Sequence, residues 1–476
     1  MKFNFKQTNI LIFITLLTIG CSDDFLNDPK PTSSVTEEVI FSTRVGAEAF
    51  LSGIQRSFRT QFERYQRTDC GGIYSMYFAR SVKGNDLIQG PTWFLYDYSN
   101  DNREPTYSRV GFTWDYPYFM INQANSLING VTLSELPDTD KAELTAQGKT
   151  IRAFFYFQLA MEFQHTYSFD ATLPAPPIYT ELSLEGNPMS TLTEMYDLII
   201  SDLTSAVTNL NDTRLGKSYV NQSVASGILA RVYLVTGNMT GAANAANMAY
   251  GGDVNSVLDA ASYGNGFDDI TNSEWIWGSP QSSDQSNYYY LAPHAFTDHY
   301  SPAYFGTYIN VDFADLFSET DVRNLFVHTY ENTTPTDYTY LTTTKFIFAF
   351  DSDMPLMRTS EMILIESEAL LNSNEDQAHN LLYALQLNRD SSAVKSTNTG
   401  DALLNEILIE RRKELYGEIG VEWFDAKRLR RAIPRTGNHR LIESDLEADD
   451  KKLFLKIPQA EIDANDYIDD SINTDR

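Results

Sequence analysis

Residues 222–250 read QSVASGILARVYLVTGNMTGAANAANMAY. Apolar residues recur at helical spacing from Gln222 to Thr236, Gly237 marks a stop, and the alanine-rich run Ala242 to Tyr250 resumes the period. The reading is helix, short turn, helix. A second such pair runs from Arg358 to Asn372 and from Asp376 to Arg389, and a longer helix follows from Asp401 to Glu414. Upstream, Val45 to Phe62 is helical in pattern. Thr145 to Phe163 sets Phe154, Phe157, Leu159 and Met161 around Ala153 and Ala160, small residues that admit a close neighbour. Thr191-Leu-Thr-Glu194 fits a capping box, followed by the apolar stripe Met195, Leu198, Ile199, Ala206 and Leu210.

Helical hairpins of this kind resemble tetratricopeptide repeats, in degenerate form and without a strict period of about 34 residues. Between them the character changes. Tyr65 to Tyr118 and Gly264 to Thr344 are rich in Tyr, Asn, Ser, Asp and Thr, with apolar residues in short bursts, and read as loops and short strands. Strands are expected at Glu274–Gly278 and Thr344–Phe350. The expected fold class is mostly α: a superhelix of tetratricopeptide-like helix pairs with long irregular loops and a few short strands. Its scaffold covers about 41–64, 119–250 and 356–430, and its irregular ligand-facing segments about 65–118 and 264–344.

The N-terminus reads as an address. Lys2 and Lys6 precede the apolar run Ile10–Ile19, and Gly20-Cys21-Ser22-Asp23-Asp24 follows. A spanning helix needs about 20 apolar residues, so this run is an export signal (1–20) and not a membrane span. Cleavage before Cys21 would free its thiol for lipid attachment; an ordinary secretory signal with an incidental Cys is the alternative. The acidic run Ser22-Asp23-Asp24 after the Cys resembles the surface-export signal of lipoproteins in the phylum Bacteroidota. Residues 21–40, with Pro29, Pro31, Thr32, Ser33 and Ser34, then form the tether, and 41–476 form the body.

Composition limits the partners. The 476 residues carry a formal charge of −28, and loss of Lys2 and Lys6 with the leader deepens it. A field of that sign repels phosphate backbones, which argues against nucleic acid. Only Cys21 and Cys70 are present, so no disulfide framework is available.

The run Glu410-Arg-Arg-Lys-Glu-Leu415, continued by Glu422-Trp-Phe-Asp-Ala-Lys-Arg428, resembles a signature of the SusD/RagB family, with Glu422 where that pattern carries Arg and Ala426 where it carries Leu. Further segments match in family order: Cys21-Ser-Asp-Asp-Phe-Leu26, Arg152–Tyr156, Tyr196–Leu203, Ala225–Leu234, Arg358–Ala369 and Ile457–Ile462. The resemblance implies a lipoprotein on the cell exterior, anchored to the outer membrane through Cys21. It also implies a SusC-like TonB-dependent transporter as partner and an oligosaccharide ligand, or in some branches a peptide, with no cofactor.

Catalytic signals are missing. There is no G-x-S-x-G, no H-E-x-x-H, and no His beside Cys70; among 64 acidic residues a glycosidase pair cannot be singled out. His294 and His299 have the wrong phase to share a metal on one helix face, and Asp351 and Asp353 lack the rest of a calcium loop. The simpler account is binding, with a surface glycosidase as the remote alternative. Sugars present apolar C–H faces ringed by hydroxyls, so their sites use flat aromatic rings flanked by Asn, Asp and Arg. Two loop groups meet that need: Arg80, Asn85, Asp86, Trp93, Tyr96 and Tyr98 in the first irregular segment, and Asn287, Tyr288, Tyr289 and Tyr290 in the second. Trp93 is the leading single candidate, while Trp114, Trp275, Trp277 and Trp423 are assigned to the core.

Overall fold

A computed structural model describes residues 37–59, 64, 65, 67, 69–282, 306–349 and 351–476. Its principal helices are α1 (Arg44–Arg56), α2 (Ile73–Ser81), α3 (Ser108–Leu133), α4 (Asp138–Phe163), α5 (Leu192–Asn209), α6 (Gln222–Thr236) and α7 (Met239–Tyr250). After a long excursion follow α8 (Thr359–Leu370), α9 (Glu375–Arg389), α10 (Gly400–Leu415) and α11 (Val421–Arg428). The longer strands are β1 (Leu87–Gln89), β2 (Trp275–Ser279), β3 (Thr307–Ile309), β4 (Phe326–His328), β5 (Leu341–Thr343) and β6 (Met354–Arg358).

Local chemistry sets the helix ends. The Thr191 hydroxyl accepts from the Glu194 amide and the Glu194 carboxylate accepts from the Thr191 amide, so α5 begins at the capping box. Asn221 caps α6 by accepting from the Val224 amide, and α6 ends on Gly237, whose φ of 78° is left-handed and suits a residue without Cβ.

Packing then orders the helices. Each of α3 to α9 lies against the next, and α10 packs on α8. The contact between α7 and α8 joins helices separated by the whole excursion from Gly251 to Arg358, so the two hairpins read from sequence stack on each other. One apolar cluster runs through the stack from Phe41 to Ile457, and Trp114, Trp277 and Trp423 lie within it. Trp275 belongs to a smaller buried cluster with Leu258, Tyr263, Phe267 and Phe346.

Two expectations fail. The segment Tyr65–Tyr118 is not wholly irregular, because α2 lies inside it and α3 starts at Ser108. Aromatic residues at every second position from Phe112 to Tyr118 hide the helical period; in the fold Phe112 stacks on Tyr116 at 5.6 Å and Trp114 meets Phe163 edge-on at 5.0 Å. Thr344–Ala349 is not a strand either; the paired residues are Leu341–Thr343 just before it, and Phe350 lies outside the described residues. Lys345 and Phe346 are consecutive and both fully buried, which a strand with alternating faces does not allow for a one-sided core. The strand expected at Glu274–Gly278 forms one residue later as β2, paired antiparallel with β6 through a bulged register.

The excursion contributes β3, β4 and β5 to a four-stranded antiparallel sheet of order β1-β3-β5-β4, and β1 joins from the segment after α2. β1 pairs β3 through Leu87 with Ile309, Ile88 with Tyr308 and Gln89 with Thr307. The sheet thus draws the first irregular segment, through β1, against the second.

Candidate ligand-binding site

β1 is held at its start by side chains from distant parts of the chain. The Asn310 amide donates to the Asn85 carbonyl at 2.9 Å and to the Thr436 carbonyl at 2.9 Å. The Glu422 carboxylate accepts from the Asn85 and Asp86 amides at 2.7 and 3.1 Å, and Arg435 donates to the Gly84 and Lys83 carbonyls. At the far end of β1, the Arg440 guanidinium donates to the Gln89 carbonyl at 2.6 Å and lies 5.0 Å over the Tyr338 ring, which meets Tyr308 of β3 edge-on. Gly90 then bonds back to Gly306; a Cβ on Gly90 would stand 3.1 Å from the Gly306 carbonyl, so the two backbones approach as only small residues allow.

The turn that follows is anchored by one ring and presents others. Phe94 is fully buried, 4.8 Å from Phe78 and under the Arg109 guanidinium at 5.2 Å. Trp93 and Tyr96, on either side of it, are 42% and 60% exposed. Each of these exposed rings sits on a backbone held by β1 and by Phe94, so either can stack on an apolar face with little ordering cost.

The other expected site residues lie elsewhere or are already engaged. Tyr98 is fully buried, stacked on His439 at 4.6 Å, and its hydroxyl accepts from the Arg440 amide at 3.0 Å. Burial pushes that phenol upward, while burial and the neighbouring Arg435 push His439 down to about 3. Arg80 is buried, donating to Glu162 and, at 2.8 Å, to Gln158, with its guanidinium 5.1 Å over Trp423. Asp86 is buried and paired with Arg412. Asn85 is buried too, its side-chain amide donating to Thr436 at 3.1 Å. Trp93 and Tyr96 are thus both exposed on the segment after β1, Trp93 just before and Tyr96 within the short helix Leu95–Tyr98, while Arg80, Asn85, Asp86 and Tyr98 are buried among internal partners. Asn287, Tyr288, Tyr289 and Tyr290 lie outside the described residues, as do Cys21, His294 and His299. Arg440 and Tyr338 were not singled out from sequence; the only trace is a tyrosine-rich run, Tyr338-Thr-Tyr340, within a segment full of tyrosines.

The motif Glu410–Leu415 serves a different end. Glu414 is paired with Arg323, Arg358 and Arg389, Glu410 with Arg323, and Lys413 with Asp321. Arg358 also reaches Glu274 and Glu418, and Lys345 reaches Glu418 at 2.8 Å. Burial alone would raise Glu414; the guanidiniums of Arg389, Arg358 and Arg323 outweigh it and hold the carboxyl well below its ordinary value. Arg411 pairs with Asp425, which Arg428 also holds while gripping Glu368. These charges bolt α10 and α11 to α8, α9 and the excursion. No group of three or more His, Cys, Asp or Glu able to hold a metal occurs among the described residues, and none of their helices is long and apolar enough to cross a membrane.

Comparison with known proteins agrees with this architecture. Residues 59–234 match a family profile described as "Starch-binding associating with outer membrane", and residues 338–472 match the profile of the SusD family. SusD-like protein P2 of Formosa agariphila is 24% identical over 251 residues, which cover 51% of this chain and 45% of that protein. SusD-like protein P38 of the same organism is 26% identical over 218 residues, 44% of this chain and 38% of that one, so the chain aligns with less than half the length of these curated relatives. Among solved structures, a SusD-like carbohydrate-binding protein from Bacteroides vulgatus superposes with a TM-score of 0.81 at 24% identity, covering 90% of this chain and 97% of that one. A SusD superfamily protein from Bacteroides thetaiotaomicron gives 0.79 at 23%, covering 90% and 99%. A laminarin-binding SusD-like protein gives 0.69 at 19%, covering 89% and 98%. With its ordered sequence segments, two matching profiles and stacked hairpins, this chain belongs to the SusD/RagB family.

Proposed function

We propose that this protein is a surface lipoprotein that captures an oligosaccharide on Trp93 and Tyr96 and delivers it to a SusC-like TonB-dependent outer-membrane transporter. The observation that carries the reading is the pair of exposed rings on a turn fixed by Phe94 and β1. Stacking against sugar C–H faces supplies affinity, and hydroxyl hydrogen bonds supply orientation. Arg80, Asp86 and Tyr98 act behind that surface, keeping β1 and the turn in place, while Asn287, Tyr288, Tyr289 and Tyr290 precede β3 in sequence and complete the proposed ligand-facing set. Binding without turnover fits a family whose solved members include carbohydrate-binding and laminarin-binding proteins. Cys21 carries the lipid, and the acidic residues after it direct the anchor to the outer face of the outer membrane.

The test is retention in affinity gels cast with a panel of glycans, laminarin included. The mature protein should be retarded by at least one glycan, and Trp93→Ala should lose most of that retardation while circular dichroism stays helical. Retardation that survives Trp93→Ala removes the Trp93 turn from the site. Calorimetric titration with peptides separates this reading from peptide capture, which would rest on backbone pairing and charged pockets.

A further inference from the structure

A cavity of about 410 Å³ lies at the opposite end of β1 from the Trp93 turn. Asn85, before β1, and Asp312, after β3, border it, whereas Trp93 follows β1 and Gly306 precedes β3. Because these strands are antiparallel, the exposed rings and the cavity stand at two ends of one strand pair. Its size falls in the range of small-molecule sites, about 300–1,000 Å³. Among the described residues no aromatic ring lines it, so they offer no stacking platform for a sugar there.

One wall is aliphatic, formed by Leu408 and Ile409 of α10 with Ile433. The other is charged and unevenly compensated. The Asp312 and Glu422 carboxylates make no ion pair among the described residues. Arg412 of α10 is committed to Asp86, while Arg431 donates only to the neutral Asn405 side chain at 2.6 Å and makes no ion pair among the described residues, so it offsets one of the two carboxylates. Asp425 of α11 is held between Arg411 and Arg428, and Arg435 is spent on the Lys83 and Gly84 carbonyls. Glu422 therefore lies beside Asp86 without an ion pair among the described residues, although the Arg412 and Arg435 guanidiniums are close enough to act on it. Burial first, and the Asp86 charge second, raise its carboxyl to about 7 in spite of Arg412.

We propose that this cavity takes the cationic end of an aliphatic chain, an ammonium or guanidinium on an alkyl stem. The charge lies against Asp312 and Glu422, and the methylenes lie along Leu408, Ile409 and Ile433. A free alkylamine and the side chain of a Lys or Arg in a peptide share that chemistry. The site is separate from glycan capture and stands or falls without it. Since the ionised Glu422 is the form that attracts a cation, affinity rises as pH rises through about 7.

The test is calorimetric titration of the mature full-length protein with pentylamine, with 1-pentanol as the uncharged control, and with the tripeptide Gly-Lys-Gly. Pentylamine or the tripeptide should bind and 1-pentanol should not, and whichever of the two binds more tightly identifies the source. Loss of one charged contact in Asp312→Asn should weaken binding about tenfold. Glu422→Gln should do the same and remove the pH dependence; should that variant fold poorly, Asp312→Asn on the exposed rim decides alone. No binding of either amine by the wild-type protein, equal binding of 1-pentanol, or unchanged affinity in Asp312→Asn overturns the proposal.

Discussion

At the scale of single residues, burial and distance decide which charged and aromatic groups can meet a ligand. Trp114, Trp275, Trp277 and Trp423 sit in the core as their segments imply, and Trp93 is the tryptophan left 42% exposed. Arg80, Asp86 and Tyr98 look alike in sequence to the exposed Tyr96. What separates them is the presence of Glu162, Arg412 and His439, which lie 82, 326 and 341 residues away along the chain. No local pattern carries that information. The buried charges make a firm prediction: Arg358→Met strips Glu274, Glu414 and Glu418 of a shared cation, and should destabilise the fold by about 3–5 kcal/mol in urea denaturation. A loss under about 1 kcal/mol would mean that the cluster is compensated by water instead.

Glu422 predicts a pH dependence of stability. Its folded-state value, about 7, stands above the ordinary 4.5, so its contribution to stability is complete below about pH 4.5 and is lost as pH rises through about 7. Glu422→Gln keeps an acceptor for the Asn85 and Asp86 amides and has no charge to bury. The Tm of the variant relative to wild type should climb between about pH 5 and pH 8, and a constant difference across that range would show that Glu422 titrates normally.

At the scale of elements, punctuation was the most legible signal. The ends of α6 at Gln222 and Thr236 and the start of α5 after Thr191 follow from caps that act over three or four residues. Thr191→Ala should cost about 1 kcal/mol, read from thermal melts, because the Glu194 amide loses its acceptor. An unchanged melt would mean that packing alone fixes that end. The start of α3 was hidden, since tertiary burial of its many aromatics overrides their weak helical preference. β1 is three residues long and depends on Asn310, Glu422 and Arg440 for its position, so no periodicity could have announced it. The candidate site inherits that limit: its rings were visible in sequence, and the strand that presents them was not.

At the scale of the whole molecule, the stack α3 to α9 forms a frame whose long excursion carries β3, β4 and β5, and these strands meet β1 and the exposed Trp93 and Tyr96 from the segment between α2 and α3. Degenerate hairpins sufficed to read the frame because each helix pair is locally encoded, whereas the joint between α7 and α8 is made only in space. The proposed anchor has its own test: labelled palmitate should be incorporated by the wild-type precursor and not by Cys21→Ser, and equal labelling of both would place no lipid at that residue.

The most direct measurement of the central claim is calorimetric titration of a glycan panel into the mature protein and into the double variant Trp93→Ala/Tyr96→Ala. The account predicts that at least one oligosaccharide binds the wild-type protein and loses about tenfold or more in affinity in the double variant, with the helical spectrum unchanged. Equal affinity for that oligosaccharide in both proteins, or binding of peptides and of no glycan in the panel, would contradict it.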